Sequence, residues 1–219
     1  MIHIYLVKIN SSWSEIDNSL ISFLSPERKE KIKNYQFERD KKSSLMSGLL
    51  VRQKIEELTG IPLRKQKYSY YKNKKPFIFS NNKLDFNISH SKNYICCGIS
   101  FNGSIGVDVE KNGIAPLDIM TYIFHNREID YVMNSHDPNL NFYRIWTRKE
   151  AYSKYIGKGL TMDLTSLNSL KYSNKYFLDT LTYDDVTVSF CTNGTKNIVF
   201  KKIDEKQIYD YYDKLNNDY

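Results

Sequence analysis

The chain has few cysteines and no long hydrophobic run. Its 219 residues include only three cysteines, of which Cys96 and Cys97 are adjacent while Cys191 lies far away. Their spacing fits neither a zinc site nor a redox motif, so we expect reduced, packed thiols. No apolar segment approaches the roughly 20 residues that span a membrane, and the first residues lack the basic region and cleavage site of a signal peptide. These absences predict a cytoplasmic protein without a membrane partner.

What the chain does contain is typical of a folded globular protein with a basic surface. Hydrophobic residues make up 41% of the sequence and charged residues 26%, a balance that argues against disorder. The length allows one large domain or two small ones. The net charge of +7, from 32 lysines and arginines against 25 aspartates and glutamates, fits an anionic partner such as nucleic acid, a phosphorylated cofactor or an acidic protein. It is equally compatible with charge that only keeps the protein in solution.

The segment Gly106–Glu110 places two carboxylates on one face of a predicted strand. Because side chains alternate along a strand, Asp108 and Glu110 point one way while Val107 and Val109 face a core. Neighbouring carboxylates on one face repel each other. Mg²⁺ would relieve that repulsion, since it is a hard cation usually held by carboxylates, waters and substrate phosphates. Solvated acids at the end of a strand are the alternative interpretation.

A second charged motif lies on a helix predicted over residues 141–156. Glu150 and Lys154 are four residues apart and therefore line one edge of that helix, and Lys158 follows on a glycine turn. A Glu/Lys pair at this spacing is by default a surface ion pair worth about 0.3–0.5 kcal/mol. Combined with the acidic strand, however, the set contains three carboxylates and a lysine, which suits Mg²⁺-assisted phosphoryl chemistry.

The remaining patterns predict a mixture of helices and strands. The predicted strands cover residues 2–9, 68–79 (broken by a basic turn), 84–91, 94–101, 104–110, 177–183, 186–191 and 197–202. The predicted helices cover residues 13–23, 40–58, 116–122, 126–133 and 141–156, with a further basic helix starting at residue 26. The Asn102-Gly103 dipeptide predicts a hairpin between the strands on either side of it. The polar end of the chain, residues 208–219, is predicted to fray.

In their order along the chain, these motifs resemble those of the 4′-phosphopantetheinyl transferases of the larger, surfactin-synthetase-activating (Sfp) type. The matching segments are residues 25–28, 75–76, 86–91, 106–110, 146–151 with Lys154, and 157–160. A lone Asp-x-Glu pair would be a weak signal. The ordered set is specific, because it extends over nearly the whole chain.

The resemblance implies a transfer reaction. The 4′-phosphopantetheine arm of coenzyme A would move to a serine of an apo acyl or peptidyl carrier protein, with release of adenosine 3′,5′-bisphosphate. Asp108, Glu110 and Glu150 would hold Mg²⁺, and Glu150 would also accept the serine proton, directly or through water. Lys154 would neutralise the pyrophosphate and assist the leaving phosphate. Carriers of fatty-acid, polyketide, non-ribosomal peptide and lysine biosynthesis are all compatible with this activity.

The resemblance also implies a coenzyme-binding set. Its members are Arg28, Lys31, Lys75, Ser89, His90, Lys154 and Lys158. Arg28 and Lys31 would contact the 3′-phosphate, Lys75 the adenine end and His90 a phosphate group. For His90, a packed structural histidine is the alternative.

The sequence departs from the family pattern in two places, at residues 73–74 and at residue 28. Asn73 and Lys74 stand where the family often has a small glycine-containing turn, and Asn73 is a weaker candidate for an adenine contact. Arg28 replaces a common lysine, which preserves the charge but changes the hydrogen-bond geometry.

The implied fold is α+β, with two similar α/β halves related by a pseudo-twofold axis and an active site in the cleft between them. Residues 1–103 would form the half that contacts the coenzyme, and residues 104–219 the half with the Mg²⁺-binding and catalytic residues. A chain of this length would build the cleft alone, which implies a monomer without a nucleic-acid partner. The alternative function is a Mg²⁺-dependent nuclease or phosphodiesterase that uses the same carboxylates. A non-catalytic nucleic-acid-binding module would not need three acids, and no known motif of that class occurs.

Overall fold

The computed structural model describes residues 1–71, 75–79, 84–158, 162–194 and 196–217. The strands are β1 (Ile2–Lys8), β2 (Lys67–Tyr70), β3 (Pro76–Phe79), β4 (Leu84–Ser91), β5 (Tyr94–Phe101), β6 (Ile105–Lys111), β7 (Phe177–Tyr183), β8 (Val186–Thr192) and β9 (Ile198–Asp204). The helices are α1 (Glu15–Leu20), α2 (Pro26–Asn34), α3 (Glu38–Thr59), α4 (Met120–Ile123), α5 (Asn126–Met133), α6 (Pro138–Ile156) and α7 (Glu205–Asn217). This mixture confirms the α+β class. None of the helices in these ranges is long and apolar enough to cross a membrane.

The strands form two main sheets and one short hairpin. The first sheet has the order β4-β5-β1-β9, in which β1 runs antiparallel to β5 and parallel to β9. The second sheet has the order β6-β8-β7 and is antiparallel throughout. Within the residues that the structure describes, β2 and β3 pair with each other and form a two-stranded sheet. Helix α3 covers the first sheet, and α6 packs on the second.

The two faces of the first sheet belong to different hydrophobic clusters. Cys97 and Ile99 of β5 face the cluster that contains Leu45 and Leu49 of α3. Cys96 faces the opposite cluster, which the first sheet shares with the second sheet. The adjacent cysteines therefore point to opposite sides, as expected for a strand, and the three cysteines are buried free thiols.

The last part of the chain contributes to the first sheet as well as the first part does. The chain does pass from the first sheet to the second between β5 and β6. However, β9 returns to the first sheet, where Ile198 lies opposite Ile2. Helix α7 then packs back on α3, and the Tyr212 hydroxyl donates to the Leu49 carbonyl at 2.8 Å. Residues 198–217 therefore belong to the first layer. The prediction that residues 208–219 fray is wrong for α7, since Ile208 and Tyr212 are fully buried.

The predicted hairpin across Asn102-Gly103 is also wrong. Asn102 does adopt a left-handed turn conformation, with φ of 62°. Both edges of β5 are already paired, with β4 on one side and β1 on the other. Strand β6 therefore pairs with β8 and packs across the face of β5, where a Cβ at Gly98 would lie 2.4 Å from a Val107 methyl group. The turn at Asn102 was predicted correctly, but the pairing of β1 with β5 prevents β6 from pairing there.

Helix boundaries follow the capping residues. Helix α1 begins at Glu15, because Ser14 and Asp17 form a capping box, and a 3₁₀ turn at Ile21–Phe23 follows it, so α1 is shorter than the predicted 13–23. Helix α6 has a clear signal at both ends. The Asp137 carboxylate accepts from the amide of Leu140 at its start, and Gly157, with φ of 71°, ends it in the left-handed conformation. These signals fix the length of the helix that carries Glu150 and Lys154.

Candidate active site

Gly106 allows the acidic strand β6 to lie directly against helix α6. A Cβ at this position would be 2.1 Å from the carbonyl oxygen of Ala151 and 2.3 Å from the amide nitrogen of Tyr155. Neither distance is tolerable between non-bonded atoms, so any side chain would push the strand and helix apart. The close approach brings the two acids of β6 beside Glu150 and Lys154 of α6.

Asp108 is the most buried acid of the group, with 4% of its surface exposed. Its Oδ1 accepts from the Lys154 ammonium at 2.6 Å and from the Ser89 hydroxyl at 2.7 Å. Lys154 also donates to Ser89 Oγ at 2.9 Å, which closes a triangle between β4, β6 and α6. Oδ2 of Asp108 is buried and meets no hydrogen-bond donor among the described residues. One oxygen of this carboxylate is thus satisfied and the other is not.

Glu110 lies two residues further along the same strand face. The Ser91 hydroxyl donates to its Oε2 at 2.5 Å. Burial raises the pKa of Glu110 above its ordinary value, and the charge of Asp108 adds to the rise, while hydrogen bonds from Ser91 and Trp146 oppose it. Trp146 of α6 packs against the cluster around α5 and also hydrogen-bonds this acid.

Glu150 faces the acidic strand from α6. Its Oε1 is buried and has no hydrogen-bond donor among the described residues. Burial raises the pKa of Glu150, and the charges of Asp108 and Glu110 raise it further, while Lys154 opposes them. Three carboxylates therefore share a poorly solvated space with one lysine, and the charge there is unbalanced in favour of binding a cation.

The described residues fit a Mg²⁺ site that is completed by a ligand. As they stand, no three His, Cys, Asp or Glu side chains in the described ranges form a group that could enclose a metal ion. Mg²⁺, however, is usually held by one or two carboxylates together with waters and substrate phosphates. The partnerless buried oxygens of Asp108 and Glu150 match that mode, because they are hard oxygen donors in need of a partner.

A groove of about 480 Å³ lies beside this acidic group. Its lining includes Arg28, Lys31 and His90, together with Ser44 and with Asn87 and Ile88 of β4. Arg28 lies across α3, and its guanidinium donates to the Ser44 carbonyl at 3.1 Å. This position requires Gly48, since a Cβ there would be 2.6 Å from the Arg28 side chain. Burial lowers the pKa of Arg28 from its ordinary value.

Lys31 and His90, the other two basic residues of the groove, are exposed. The Lys31 ammonium lies 5.7 Å from the centroid of the Tyr35 ring. The His90 side chain is exposed and not packed in a core, so its structural alternative is not supported. Partial desolvation lowers the pKa of His90, and the positive charges of Lys31 and Lys154 lower it further. The groove therefore presents two cationic side chains and an imidazole whose pKa is lowered.

Comparison with known proteins gives the family. The sequence profile described as "4'-phosphopantetheinyl transferase, N-terminal" matches residues 11–100, and that of the "4'-phosphopantetheinyl transferase superfamily" matches residues 104–208. The 4'-phosphopantetheinyl transferase Sfp of Bacillus subtilis is 30% identical over 168 residues, which cover 75% of each chain. The chain belongs to the 4′-phosphopantetheinyl transferase superfamily.

Other relatives agree with this assignment. The 4'-phosphopantetheinyl transferase gsp of Aneurinibacillus migulanus is 31% identical over 177 residues, covering 76% of this chain and 70% of the relative. The human L-aminoadipate-semialdehyde dehydrogenase-phosphopantetheinyl transferase is 29% identical over 159 residues, covering 66% of this chain and 52% of the relative. The Sfp-type resemblance seen in the motifs is therefore confirmed.

Four of the predicted coenzyme contacts of this transferase-family chain, Lys75, Ser89, Lys154 and Lys158, are not part of the groove lining, and Ser89 and Lys154 contact Asp108 instead. Lys75 directs its ammonium at Asp85 Oδ2, 2.5 Å away, and at the Ile105 carbonyl, 2.9 Å away. Lys158 is exposed directly after the end of α6. The suggested contact at Asn73 lies outside the described residues, as do Lys74 and residues 159–160.

Sequence reasoning missed two polar networks of this transferase fold. Asp85 and Asn87 of β4 accept from main-chain amides of β6, and their signal was the alternation of polar residues along β4. Lys149, directly before Glu150, is fully buried and paired with Glu128 at 2.7 Å. No local pattern marks that pair, because its partners come from two other segments of the chain.

Proposed function

We propose that the protein transfers the 4′-phosphopantetheine arm of coenzyme A to a serine hydroxyl of an apo acyl or peptidyl carrier protein, with release of adenosine 3′,5′-bisphosphate. One observation supports this most directly. The cationic groove with Arg28, Lys31 and His90 adjoins the acidic group, because its lining includes Asn87, which shares a face of β4 with Ser89, and Ser89 contacts Asp108 and Lys154. An anionic ligand in the groove would therefore extend its phosphates to the carboxylates.

Asp108, Glu110 and Glu150 are the residues that would hold Mg²⁺. When bound, the ion would neutralise the pyrophosphate and orient it for displacement. The unsatisfied oxygens of Asp108 and Glu150 and the raised pKa values of Glu110 and Glu150 support this assignment, since each reflects an unmet demand for positive charge. Lys154 supplies part of that charge from the side of α6.

The reaction then requires a proton acceptor and a stabilised leaving group. The serine oxygen attacks the phosphorus that carries the pantetheine arm, and the bond to the departing adenosine bisphosphate breaks. Glu150 takes the serine proton, directly or through water, because its carboxylate faces the acidic strand from α6 and its buried Oε1 has no hydrogen-bond donor among the described residues. Lys154 stabilises the charge that develops on the leaving phosphate. Arg28, Lys31, Ser89, His90 and Lys158 are the remaining proposed coenzyme contacts.

We further infer a cytoplasmic monomer. Both walls of the site, β6 with α6 and β4 with the groove, come from the same chain, which supports a complete site in one copy. The three buried free cysteines support a reducing compartment. The nuclease or phosphodiesterase alternative receives no support from the profiles and relatives described above, all of which are named phosphopantetheinyl transferases.

One experiment tests the activity. The protein is incubated with coenzyme A, Mg²⁺ and a purified apo carrier protein, and the carrier is weighed by mass spectrometry. A mass gain of one phosphopantetheine group is expected, and it should vanish with chelator or with a carrier whose acceptor serine is replaced by alanine. An unchanged carrier mass over a panel of carriers, with Mg²⁺-dependent cleavage of nucleic acid, would favour the alternative. Light scattering of the same sample tests the monomer, which an obligate trimer would contradict.

A further inference from the structure

We infer that Lys75 and Asp85 position the acidic strand β6, as one end of a row of side chains that joins β4 to β6. This inference rests on the proposed function, because it concerns how the Mg²⁺-binding acids are held. We call the row the β4–β6 seam, and it consists of Lys75, Asp85, Asn87, Ser89 and Ser91. Lys75 and Asp85 are then positioning residues, and Lys75 does not owe its place to the coenzyme.

The seam begins with contacts to the main chain of β6. Strands β4 and β6 belong to different sheets, so no main-chain ladder joins them. Instead, the Ile105 amide donates to Asp85 Oδ2 at 2.8 Å and the Val107 amide donates to Asn87 Oδ1 at 2.9 Å. Lys75 donates to the Ile105 carbonyl. Side chains therefore satisfy the Ile105 amide, the Ile105 carbonyl and the Val107 amide, as buried peptide groups require.

The seam continues to the catalytic carboxylates. Ser89 donates to Asp108 and Ser91 donates to Glu110, while the amide of Lys111 donates to Ser91 Oγ at 3.3 Å. Every second residue of β4 takes part, because alternate side chains of a strand share one face. Main-chain contacts at one end and carboxylate contacts at the other therefore fix the register of β6 against β4.

Burial and charge separate Lys75 from the groove lysine Lys31. The Lys75 side chain is 11% exposed and Asp85 is 18% exposed, whereas Lys31 is exposed at the rim. The ammonium of Lys75 already has a carboxylate at 2.5 Å and a carbonyl at 2.9 Å. These two acceptors come from β4 and β6, so the ammonium joins the two strands. A shift of about 1 Å in a catalytic group can lower turnover about 100-fold, so a fixed register has direct value for catalysis.

The test compares Lys75→Met with Lys67→Met, which removes the same charge from an exposed position on β2. Calorimetry measures coenzyme A binding, and a carrier-loading assay measures kcat, KM and the Mg²⁺ concentration for half-maximal rate. For Lys75→Met we expect kcat to fall about 10-fold or more, in the range for residues that orient metal ligands. The Mg²⁺ requirement should rise, and coenzyme A affinity should stay within about 2-fold, because Lys75 acts through β6. Weaker coenzyme A binding with unchanged kcat would overturn the inference. Lys67→Met should match the parent.

Ser91→Ala tests the other end of the seam. It provides an independent test of the inference if Lys75→Met does not fold. Ser91 contacts Glu110 and Lys111, and it is absent from the lining of the coenzyme groove. We expect the same signature, a lower kcat and a higher Mg²⁺ requirement with unchanged coenzyme A affinity. Unchanged kcat and unchanged Mg²⁺ dependence in this variant would overturn the inference. Urea unfolding of each variant shows whether the assays measure folded protein.

A readout without activity separates this inference from the proposed function. Amide hydrogen exchange reports whether Ile105 and Val107 of β6 stay protected. In Lys75→Met we expect exchange at Ile105 to be about 10-fold faster, since Asp85 loses the ammonium that holds it in place. Unchanged protection would overturn the positioning role even if the parent loaded carrier. If the parent protein loads no carrier while Lys75→Met still exchanges faster at Ile105, the transferase proposal is contradicted and the positioning role is not.

Discussion

Helix α6 carries two lysines that each pair with a carboxylate, and their surroundings differ sharply. Lys149 is fully buried, 2.7 Å from an equally buried Glu128, and also donates to the carbonyls of Leu164 and Leu167 at 2.6 Å each. Lys154, five residues later, is 2.6 Å from Asp108 and keeps 27% of its side chain exposed. The distances are nearly equal, so distance alone does not separate a structural pair from a catalytic one.

The difference lies in how completely the carboxylates are satisfied. Glu128 accepts from the amide and the hydroxyl of Ser169 and from the amide of His125, in addition to Lys149. Asp108 has one oxygen with two donors and one buried oxygen with no donor among the described residues. A fully bonded buried network fixes a structure, whereas an incompletely bonded acid in a cleft marks a site that a ligand completes.

The largest expected effect sharpens this comparison at Glu150, the neighbour of Lys149. Glu150→Gln keeps the shape and one oxygen ligand but cannot accept a proton. Carrier loading should fall by about 10²–10⁴, the usual contribution of general-base catalysis, while calorimetric binding of coenzyme A and Mg²⁺ stays close to that of the parent. Asp108→Ala is the matched contrast, since it should raise the Mg²⁺ concentration required. Loading by Glu150→Gln at close to the parent rate would mean that another base takes the serine proton.

The second effect falls on stability, at the structural lysine. Lys149→Met keeps the length of the side chain but leaves Glu128 as a buried charge without its cation. Breaking a buried ion pair in this way costs about 3–5 kcal/mol, which urea unfolding would show as a lower midpoint. Replacing both partners, with Glu128→Gln added to Lys149→Met, should recover part of the loss, because no buried charge remains. A loss below about 1 kcal/mol in Lys149→Met would place this pair among weak surface pairs and end the contrast with Lys154.

These two residues also show what sequence can and cannot predict. Glu150 and Lys154 were predicted as a pair, because four-residue spacing on a helix places them on one edge without any knowledge of the fold. The acids of β6 were predicted for a similar reason, the two-residue period of a strand. The buried pairing of Lys149 was not predicted, because its partners Glu128 and Leu164 are 21 and 15 residues distant in sequence and meet it through tertiary packing.

The fold follows the same division between local and long-range information. Strand β7 was predicted with its observed bounds, and α3 and α6 to within a few residues, because periodicity and capping are local signals. The Asn102-Gly103 hairpin failed because β1 competes for the edge of β5. The prediction that the last residues fray was wrong because Ile208 and Tyr212 pack against α3. Apolar residues are sparse in this helix, so little in the sequence indicated that packing.

A third lysine extends the comparison to the coenzyme groove. Lys31 is exposed and lies beside an aromatic ring, Tyr35, so it differs from both lysines of α6. If it binds the 3′-phosphate, Lys31→Ala should weaken coenzyme A binding by about 1.5–3 kcal/mol, the range for hydrogen bonds to charged groups. Binding of dephospho-coenzyme A should be unaffected. Lys33→Ala is the control, because Lys33 is exposed on the same helix. Equal losses for both ligands would remove Lys31 from the 3′-phosphate site.

The smallest expected effect is on the stability of Lys154→Met, and the response of that stability to Mg²⁺ distinguishes the two lysines of α6. Lys154→Met should lower the free energy of unfolding by about 1–2 kcal/mol, less than Lys149→Met, because Lys154 is partly exposed and solvent screens its charge. The remaining cluster of Asp108, Glu110 and Glu150 would then lack its lysine. Mg²⁺ should restore the stability of Lys154→Met, since a ligand that binds only the folded state stabilises it. It should not restore Lys149→Met, whose lost cation was enclosed by carbonyls and a phenyl ring. Urea unfolding of both variants with Mg²⁺ and with chelator gives the answer. Equal rescue, or no rescue of either, would show that the unsatisfied acids near Lys154 do not respond to a cation.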